Sequence, residues 1–266
     1  MNTSAPVAVV TGASRGIGAA VALWLARRGA ALALVARTES GLVQVADRVE
    51  MLGGRALVIE ADIAGARSCG QIIQTTLKNF KRLDVLVNNA GIFQPMARVV
   101  DIDPKQYSYN IAVNLLGPVY LTAAALPFLR KSGGRIINVS SGAALHPISA
   151  GSAYCASKAA LNQFTRVVAV EEPSVTAIAV RPGVVDTRMQ DLLRTEGPEK
   201  MPPDEAAYYV DLKKNGQLET PEVPARSIAW LALYAPKQWS GRYVNYDDPP
   251  ISEPALSLFG NDLGGI

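Results

Sequence analysis

A strand that runs into a glycine-rich turn and then a helix opens this chain, and it restricts the fold more than any other feature. Residues Val7 to Thr11 form a continuous apolar run, which is typical of a strand buried on both faces of a parallel sheet. The sequence Gly-Ala-Ser-Arg-Gly-Ile-Gly follows at positions 12–18, and a predicted helix from Ala19 to Arg28 ends at Gly29. Glycines here let the backbone turn tightly and approach a pyrophosphate, which is held at the positive end of the helix. We therefore predict a phosphate-binding loop at residues 12–18.

The same strand-and-helix unit repeats along the chain. Further strands are predicted at residues 31–36, 55–60, 84–87, 135–139 and 243–246. They are separated by helices at 40–52, 66–80, 154–170 and 226–234 and by one or two helices over 104–129. Regular alternation with short connections predicts a single-domain, doubly wound α/β Rossmann fold, with a mostly or wholly parallel seven-stranded sheet and helices on both faces. The predicted domain covers residues 1–248. Proline and glycine punctuate residues 249–266, and we expect a tail that is loose or reaches across a subunit boundary.

Composition excludes several other classes of protein. Hydrophobic residues make up 49% of the chain and charged residues 18%, which indicates a globular protein with a substantial core. A formal net charge of +3 does not suggest a nucleic-acid surface, and two cysteines with one histidine suit neither a disulfide framework nor a metal cluster. The first residues lack the features of a signal peptide, and Arg27 and Arg28 interrupt the longest apolar candidate for a membrane span. We expect a cytoplasmic protein without a metal, nucleic-acid or membrane partner.

Two arginines near the predicted phosphate loop bear on cofactor choice. In dinucleotide-binding folds, an acidic residue after the second strand selects NAD, whereas an arginine accommodates the 2′-phosphate of NADP. Arg37 and Thr38 follow the second predicted strand, and Arg15 lies in the glycine turn. Two guanidinium groups suit a phosphate, so we predict NADPH/NADP+ as the cofactor. The alternative is that both arginines are ordinary surface residues.

Tyr154 and Lys158 stand four positions apart in the predicted helix 154–170. At 3.6 residues per turn, this spacing puts the phenol and the ammonium on one helix face. A tyrosine has a reference pKa of about 10, and a cation one turn away stabilises the phenolate and lowers that pKa. We therefore expect Tyr154 to act as an acid or base near neutral pH. On its own, Tyr-x-x-x-Lys is a common accident on helices.

Taken together, the motifs resemble those of the short-chain dehydrogenases/reductases over roughly residues 5 to 190. The resemblance rests on Thr11-Gly-Ala-Ser-Arg-Gly-Ile-Gly18, Asn88-Asn-Ala-Gly91, Asn114, Ser140-Ser141, Tyr154-Cys-Ala-Ser-Lys158, and Arg181-Pro-Gly183 with Thr187. It implies a catalytic tetrad of Asn114, Ser141, Tyr154 and Lys158, because Ser141 lies thirteen residues before the tyrosine, the separation typical of the family. In this scheme the serine polarises a carbonyl, the tyrosine protonates it, the lysine holds the nicotinamide ribose, and Asn114 holds a water.

The resemblance also implies cofactor contacts along the crevice at the carboxyl ends of the strands. Among them, Asp62 is expected to cap the adenine and Thr187 to fix the carboxamide. The full implied set is Gly12, Ser14, Arg15, Gly16, Ile17, Gly18, Arg37, Thr38, Asp62, Ile63, Asn89, Ala90, Gly91, Asn114, Tyr154, Lys158, Pro182, Gly183, Val185 and Thr187.

A narrower resemblance links later segments to the branch that holds sepiapterin reductases and benzil reductases. It rests on Glu171-Glu-Pro-Ser174, Pro182-Gly-Val-Val-Asp-Thr-Arg-Met-Gln190, Val223-Pro-Ala225 and Ser240-Gly-Arg-Tyr-Val-Asn-Tyr-Asp247, with Ser141-Gly-Ala-Ala144. These enzymes reduce one carbonyl of a vicinal diketone, or of a pterin side chain, with NADPH. Asn245 stands where sepiapterin reductases carry the aspartate that anchors the pteridine. A neutral amide weakens that anchor, which favours an α-diketone.

Residues of about 183–215 are predicted to form a lid over the substrate. The expected pocket is largely apolar, with His146 at its rim, and is lined by Ser141, Ala143, Leu145, Tyr154, Val184 and Met189. Such a pocket suits a hydrophobic carbonyl compound. The alternatives are a reductase of another ketone, such as a 3-oxoacyl thioester, and an NADPH-binding sensor or interaction protein without significant turnover. The family resemblance further implies a homo-oligomer, with a dimer favoured, paired through the helices that begin near Asn110 and Ser152.

Overall fold

Seven parallel strands form one sheet in the order β3-β2-β1-β4-β5-β6-β7. The structure is a computed structural model that describes residues 5–263, so the expectations for residues 1–4 and 264–266 lie outside the described residues. The predicted fold class is confirmed, and every strand pairing is parallel. The strands are β1 Val7–Thr11, β2 Ala31–Ala36, β3 Arg55–Glu60, β4 Val85–Asn88, β5 Arg135–Val139, β6 Thr176–Arg181 and β7 Tyr243–Asn245.

Helices cover both faces of the sheet. Successive side chains of a strand point to opposite faces, so Ala8 and Val10 pack toward one helical layer and Val9 toward the other. The first layer holds α1, α2, α9 and α10, and the second holds α3, α5 and α6. The helices are α1 Gly16–Ala26, α2 Glu39–Met51, α3 Ala66–Phe80, α4 Pro104–Ile111, α5 Gly117–Ser132, α6 Ser152–Glu171, α7 Arg188–Lys200, α8 Pro203–Lys214, α9 Glu222–Tyr234 and α10 Pro249–Phe259.

A π-helical turn, Ala112–Leu116, joins α4 to α5 and contains Asn114. The whole stretch, Pro104–Ser132, is long and apolar enough by length and composition to cross a membrane, because residues 111–129 carry no charge. The expectation that the longest apolar candidate is the one interrupted by Arg27 and Arg28 is therefore wrong. Length and composition do not distinguish a spanning helix from a core helix, and Leu121 and Leu129 are fully buried beneath the sheet.

The C-terminal segment is a helix rather than a loose tail. Ile251, Ala255 and Phe259 recur every four residues on one face of α10 and are buried against α1 and α9. The ring of Phe259 lies 5.5 Å from that of Trp24, centre to centre. Two prolines open the helix, where an absent amide hydrogen costs no hydrogen bond, so they mark a helix start and not a loop. The boundary expected at residue 248 thus falls just before an element that belongs to the core.

Candidate active site

One large cavity, of about 870 Å³, opens at the carboxyl ends of the strands. Strand β1 lies between β2 and β4, so the order of connections reverses there and leaves a crevice above the sheet. The cavity runs from Arg37 at the end of β2, past the glycine turn and Ser141, to the lid helices α7 and α8. It is the site that the sequence motifs predict.

The glycine turn is packed against the segment that follows β4. Gly12 has φ = +65°, and a Cβ atom there would lie 2.9 Å from the Cα atom of Ala90, so only glycine fits. Thr11 ties the two segments together: its Oγ1 accepts hydrogen bonds of 3.0 Å from the backbone N–H groups of Asn89 and Ala90. The Nδ2 group of Asn89 in turn donates to the Thr11 carbonyl at 2.8 Å. These bonds fix the turn at the N-terminus of α1, where backbone N–H groups favour a phosphate.

Gly18 does not line the cavity, although the resemblance implies a cofactor contact there. It is buried on α1, and a Cβ atom at this position would lie 2.4 Å from the Gly12 carbonyl oxygen and from Asn89 Nδ2. Its role in the structure is to let α1 approach the glycine turn. The other implied cofactor residues all border the cavity, with the further exception of Asn114.

Tyr109 joins two residues at the adenosine end of the cavity. Its hydroxyl donates a hydrogen bond of 2.8 Å to Asp62 Oδ2 and accepts one of 3.0 Å from Arg37 Nη1. Asp62 also accepts from the backbone N–H of Ala64 at 2.9 Å. The sequence analysis did not identify Tyr109, because it lies 72 positions from Arg37 in a helix that carries no motif.

Three arginines converge on the same cavity. Arg15 and Arg37 were expected there, and Arg188, the first residue of α7, joins them. Burial lowers the pKa of Arg15, and so do the nearby charges of Arg188 and Arg37. Within residues 5–263, none of the three forms an ion pair with a carboxylate. Like charges held together without counterions fit a polyanionic ligand such as a dinucleotide cofactor.

The start of the lid lies directly over the glycine turn. A Cβ atom built on Gly16 would be 3.5 Å from Cγ2 of Thr187, the residue that precedes α7. Arg188 follows Thr187 in sequence, and this adjacency was the signal that could have drawn attention to it. The N-termini of α1 and α7 therefore face the same part of the cavity.

Tyr154 and Lys158 lie on one face of α6, as their spacing predicts, and both side chains are buried. The Nζ atom of Lys158 is 5.6 Å from the centre of the tyrosine ring and donates a 2.7 Å hydrogen bond to the Val139 carbonyl. Ser141 follows β5 and lies beside the Tyr154 phenol, where it influences the pKa of that group. The Ser140 hydroxyl instead donates to Asn162 Oδ1 at 2.6 Å. The structure therefore brings Ser141, and not Ser140, together with the tyrosine.

The pKa values of the pair differ from the sequence-based expectation. Burial raises the pKa of Tyr154 to about 12, while the neighbouring Ser141 side chain opposes this rise and nearby Cys155 and Tyr243 add to it. Burial also lowers the pKa of Lys158 to about 8. The expectation of a lowered Tyr154 pKa is wrong, because removal from water disfavours the phenolate. Tyr154 is protonated throughout the neutral range, which is the form that donates a proton.

Asn114 is fully buried and does not line the cavity, so the structure does not bear out the direct cofactor contact expected of it. Its side chain bonds the backbone of Ile92 twice, with Nδ2 donating to the carbonyl and Oδ1 accepting from the amide, both at 2.8 Å. Nδ2 also donates to Asn110 Oδ1 at 2.9 Å. A Cβ atom on Gly91 would lie 3.3 Å from Asn114 Oδ1 and 3.6 Å from Lys158 Nζ, so both groups approach the same glycine.

An apolar wall surrounds Tyr154. Its ring centre lies 5.2 Å from that of Phe93, and the neighbouring buried cluster includes Ala143, Leu193 and Tyr209. The cavity is also lined by Ile148, Val184, Met189 and the exposed His146. Leu145 is different: its side chain is 62% exposed and outside the cavity. The 3₁₀ turn Gly142–Ala144 directs Leu145 to solvent, which corrects its predicted place in the pocket.

Helices α7 and α8 cover most of the stretch 183–215, for which a lid is predicted, and Asp186 contacts both of them. Its carboxylate pairs with Lys213 of α8 and lies 3.9 Å from Arg194 of α7. Asn245 lies outside the cavity, and its Nδ2 donates to Asp248 Oδ1 at 3.2 Å. The expectation that Asn245 occupies a ligand-anchoring position is therefore wrong. Among residues 5–263, no group of three or more histidines, cysteines or carboxylates is arranged to hold a metal ion.

Comparison with known proteins identifies the family. The sequence profile described as "short chain dehydrogenase" matches residues 6–197, more than half of the chain. The chain therefore belongs to the short-chain dehydrogenase/reductase family, and it is an oxidoreductase. Members of this family use a nicotinamide cofactor, NAD or NADP, which agrees with the glycine turn and the unpaired arginines.

Several relatives extend over nearly the whole chain. A benzil reductase ((S)-benzoin forming) of Saccharomyces cerevisiae is 36% identical over 91% of this chain and 96% of its own length. An 11-beta-hydroxysteroid dehydrogenase A of Sesamum indicum is 40% identical over 97% of this chain and 80% of its own. The crystal structure of another Saccharomyces cerevisiae short chain dehydrogenase/reductase superposes with a TM-score of 0.87, at 36% identity, over 93% of this chain and 98% of that one.

Proposed function

We propose that this oxidoreductase is an NADPH-dependent carbonyl reductase that acts on one carbonyl of an apolar, benzil-like α-diketone or of a pterin-like ketone. The observation that carries the proposal is the environment of the Tyr154 phenol, which is buried, lies beside Ser141 and is surrounded by apolar side chains. Its pKa of about 12 keeps it protonated at neutral pH. A protonated phenol in an apolar wall suits proton donation to a hydrophobic carbonyl compound.

Each residue around the substrate has a separate role in the reaction. When bound, the nicotinamide cofactor supplies the hydride. Ser141 donates a hydrogen bond to the substrate carbonyl, which orients and polarises it. Tyr154 transfers its phenolic proton to the same oxygen as negative charge develops there. Lys158, held by the carbonyl of Val139, stabilises the phenolate that remains, because its ammonium group lies one helical turn away.

The preference for NADPH is proposed from the adenosine end of the cavity. Arg37 follows β2 at the position where NAD-dependent Rossmann folds carry an acid. Asp62, a carboxylate that lines this end of the cavity, accepts hydrogen bonds from the Tyr109 hydroxyl and the Ala64 amide. Among the described residues, Arg37 and Arg15 therefore have no carboxylate partner, and guanidinium groups of this kind suit a 2′-phosphate better than a ribose hydroxyl.

The preference for a diketone is proposed from the pocket and a relative. The wall around Tyr154 offers Phe93, Met189 and Leu193 to a substrate, and the benzil reductase relative acts, by its name, on an aromatic diketone. The neutral amide of Asn245 gives no reason to prefer a diketone over a pterin as the substrate, because its side chain does not border the cavity. Direct comparison of substrates must make that distinction.

The proposal is tested by NADPH oxidation at 340 nm against benzil, a short aliphatic 1,2-dione, sepiapterin and an acetoacetyl thioester. An 11-beta-hydroxysteroid with NADP+ tests the reaction suggested by the name of the other relative. We expect Tyr154-dependent turnover of the diones, with NADH much poorer than NADPH. Turnover of the thioester or the steroid alone would reject the proposed substrate class. Tight NADPH binding without turnover of any compound would favour a sensor or interaction protein.

A further inference from the structure

The hydroxyl group of Tyr209 has no hydrogen-bond partner among the described residues, although its side chain is only 7% exposed. Tyr209 lies on α8 and lines the cavity within the same apolar cluster as Tyr154 and Leu193. The residue as a whole is buried, but its hydroxyl is not among the fully buried polar atoms that lack a partner, so the hydroxyl is open to the cavity. This arrangement leaves a hydrogen-bond donor available to a ligand in the cavity.

The hydroxyl groups of the other tyrosines near the cavity are either hydrogen-bonded within the protein or exposed to water. The Tyr109 hydroxyl donates to Asp62, that of Tyr243 to the Ser141 carbonyl at 3.0 Å, and that of Tyr246 to Glu219 at 3.0 Å. Tyr208 also borders the cavity, but 53% of its side chain is exposed, so water can pair with its hydroxyl. Tyr209 thus combines burial, access to the cavity and an unpaired hydroxyl.

The surroundings of Tyr209 keep it a donor close to the reacting group. Burial raises the pKa of Tyr209 to about 12, with further contributions from Glu205, Tyr208, Cys155 and Tyr154. Two of those contributors, Tyr154 and Cys155, belong to the catalytic turn of α6. Glu205 accepts a hydrogen bond of 2.9 Å from the backbone N–H of Ser149. Its carboxylate is an acceptor and would repel a carbonyl oxygen of the substrate, so Tyr209 and not Glu205 is the donor.

We propose that Tyr209 is a specificity-determining residue that donates a hydrogen bond to the second oxygen of a vicinal dicarbonyl substrate, while Ser141 and Tyr154 hold the first. This inference rests on the proposed function. The two oxygens of a vicinal dicarbonyl are on adjacent carbons, so a site that engages one oxygen brings the other within a short distance. A monoketone has no second acceptor and leaves the Tyr209 hydroxyl unpaired, which is the condition under which a polar site discriminates most strongly.

The test compares benzil with deoxybenzoin, which has the same skeleton but a methylene group in place of one carbonyl. Tyr209→Phe removes only the hydroxyl, and Tyr208→Phe is the matched control on the neighbouring exposed ring. We expect Tyr209→Phe to lower kcat/KM for benzil by about tenfold or more and to leave deoxybenzoin nearly unchanged. Tyr208→Phe should leave both values within about twofold, as for a hydroxyl that water already pairs. Thermal melting checks that both variants fold.

Two results overturn the inference about Tyr209. One is an equal loss on both substrates, which indicates a structural role for the hydroxyl; the other is no loss on benzil. A wild-type enzyme that does not reduce benzil or an aliphatic dione rejects the proposed function itself. The wild-type rates therefore test the proposed function. The effect of Tyr209→Phe on benzil relative to deoxybenzoin tests the role of Tyr209 separately.

Discussion

The Nζ atom of Lys158 lies 5.6 Å from the centre of the Tyr154 ring and donates a 2.7 Å hydrogen bond to the carbonyl oxygen of Val139. Both side chains are more than nine-tenths buried. Burial acts on the two groups in opposite directions, since it lowers the pKa of the ammonium to about 8 and raises that of the phenol to about 12. Below pH 8 the pair is therefore a charged lysine beside a neutral tyrosine.

This relationship predicts how carbonyl reduction depends on pH. Lys158 is charged below its pKa of about 8 and loses its proton as the pH rises through that value, while Tyr154 stays protonated up to about 12. We expect kcat for reduction to be constant between about pH 6 and 7 and to fall above about pH 8, because the phenolate then lacks its cation. A pH–rate profile with saturating NADPH checks this. A rate that climbs steadily from pH 7 to 10 contradicts it.

Removal of the Tyr154 hydroxyl separates catalysis from binding. Tyr154→Phe keeps the ring that packs 5.2 Å from Phe93 but removes the proton donor. We expect kcat to fall by about 10²- to 10⁴-fold, the range typical of general acid catalysis. NADPH affinity, measured by the change in cofactor fluorescence, should change little. Comparable turnover by the variant would show that another group supplies the proton.

Arg37 is expected to distinguish the two cofactors. Arg37→Ala removes the guanidinium that extends from β2 and contacts Tyr109. We predict that the Kd for NADPH rises by about tenfold or more, corresponding to about 1.4 kcal/mol, and that the Kd for NADH stays the same. Titration calorimetry with both cofactors measures the effect. Arg28→Ala, at an exposed position away from the cavity, is the control, and equal losses for both cofactors would contradict a 2′-phosphate contact.

Arg188 is expected to act on both cofactors alike. It begins α7, directly after the residue that packs over Gly16, and its charge lowers the pKa of Arg15. A guanidinium beside the phosphate loop meets the pyrophosphate that NADPH and NADH share. We predict that Arg188→Ala weakens both cofactors by a similar factor of about five to ten, as for loss of one charge-assisted hydrogen bond. A loss confined to NADPH would instead assign Arg188 to the 2′-phosphate.

The packing of α10 predicts a large effect on stability. Phe259 is 4% exposed and meets Trp24 in the core, whereas Leu256 of the same helix is 41% exposed. We expect Phe259→Ala to lower the free energy of unfolding by about 3–5 kcal/mol. Leu256→Ala should cost less than about 1 kcal/mol. Chemical denaturation of both variants makes the comparison, and equal small losses would show that α10 contributes little to the folded core.

Features that depend on neighbours along the chain were predictable from the sequence. The apolar run 7–11 and the glycines after it predict strand, turn and helix, and the structure forms β1 and α1 at these positions. The four-residue spacing of Tyr154 and Lys158 predicts a shared helix face, because the helical period fixes it. Repetition of the strand-and-helix unit predicts the parallel sheet, because a helix that connects two strands by short loops leaves few arrangements other than parallel neighbours.

Features that depend on contacts between distant parts of the chain were decided only by the tertiary structure. The spacing of Tyr154 and Lys158 gave no measure of their burial, and burial reversed the expected direction of the tyrosine pKa. The sequence analysis assigned no role to Arg188 or Tyr209, and both enter the site only because α7 and α8 pack near the glycine turn and α6. Local periodicity sets which way a side chain points relative to its own helix or strand. Desolvation and charge depend on what that side chain meets in space, and this is set by packing of the whole chain.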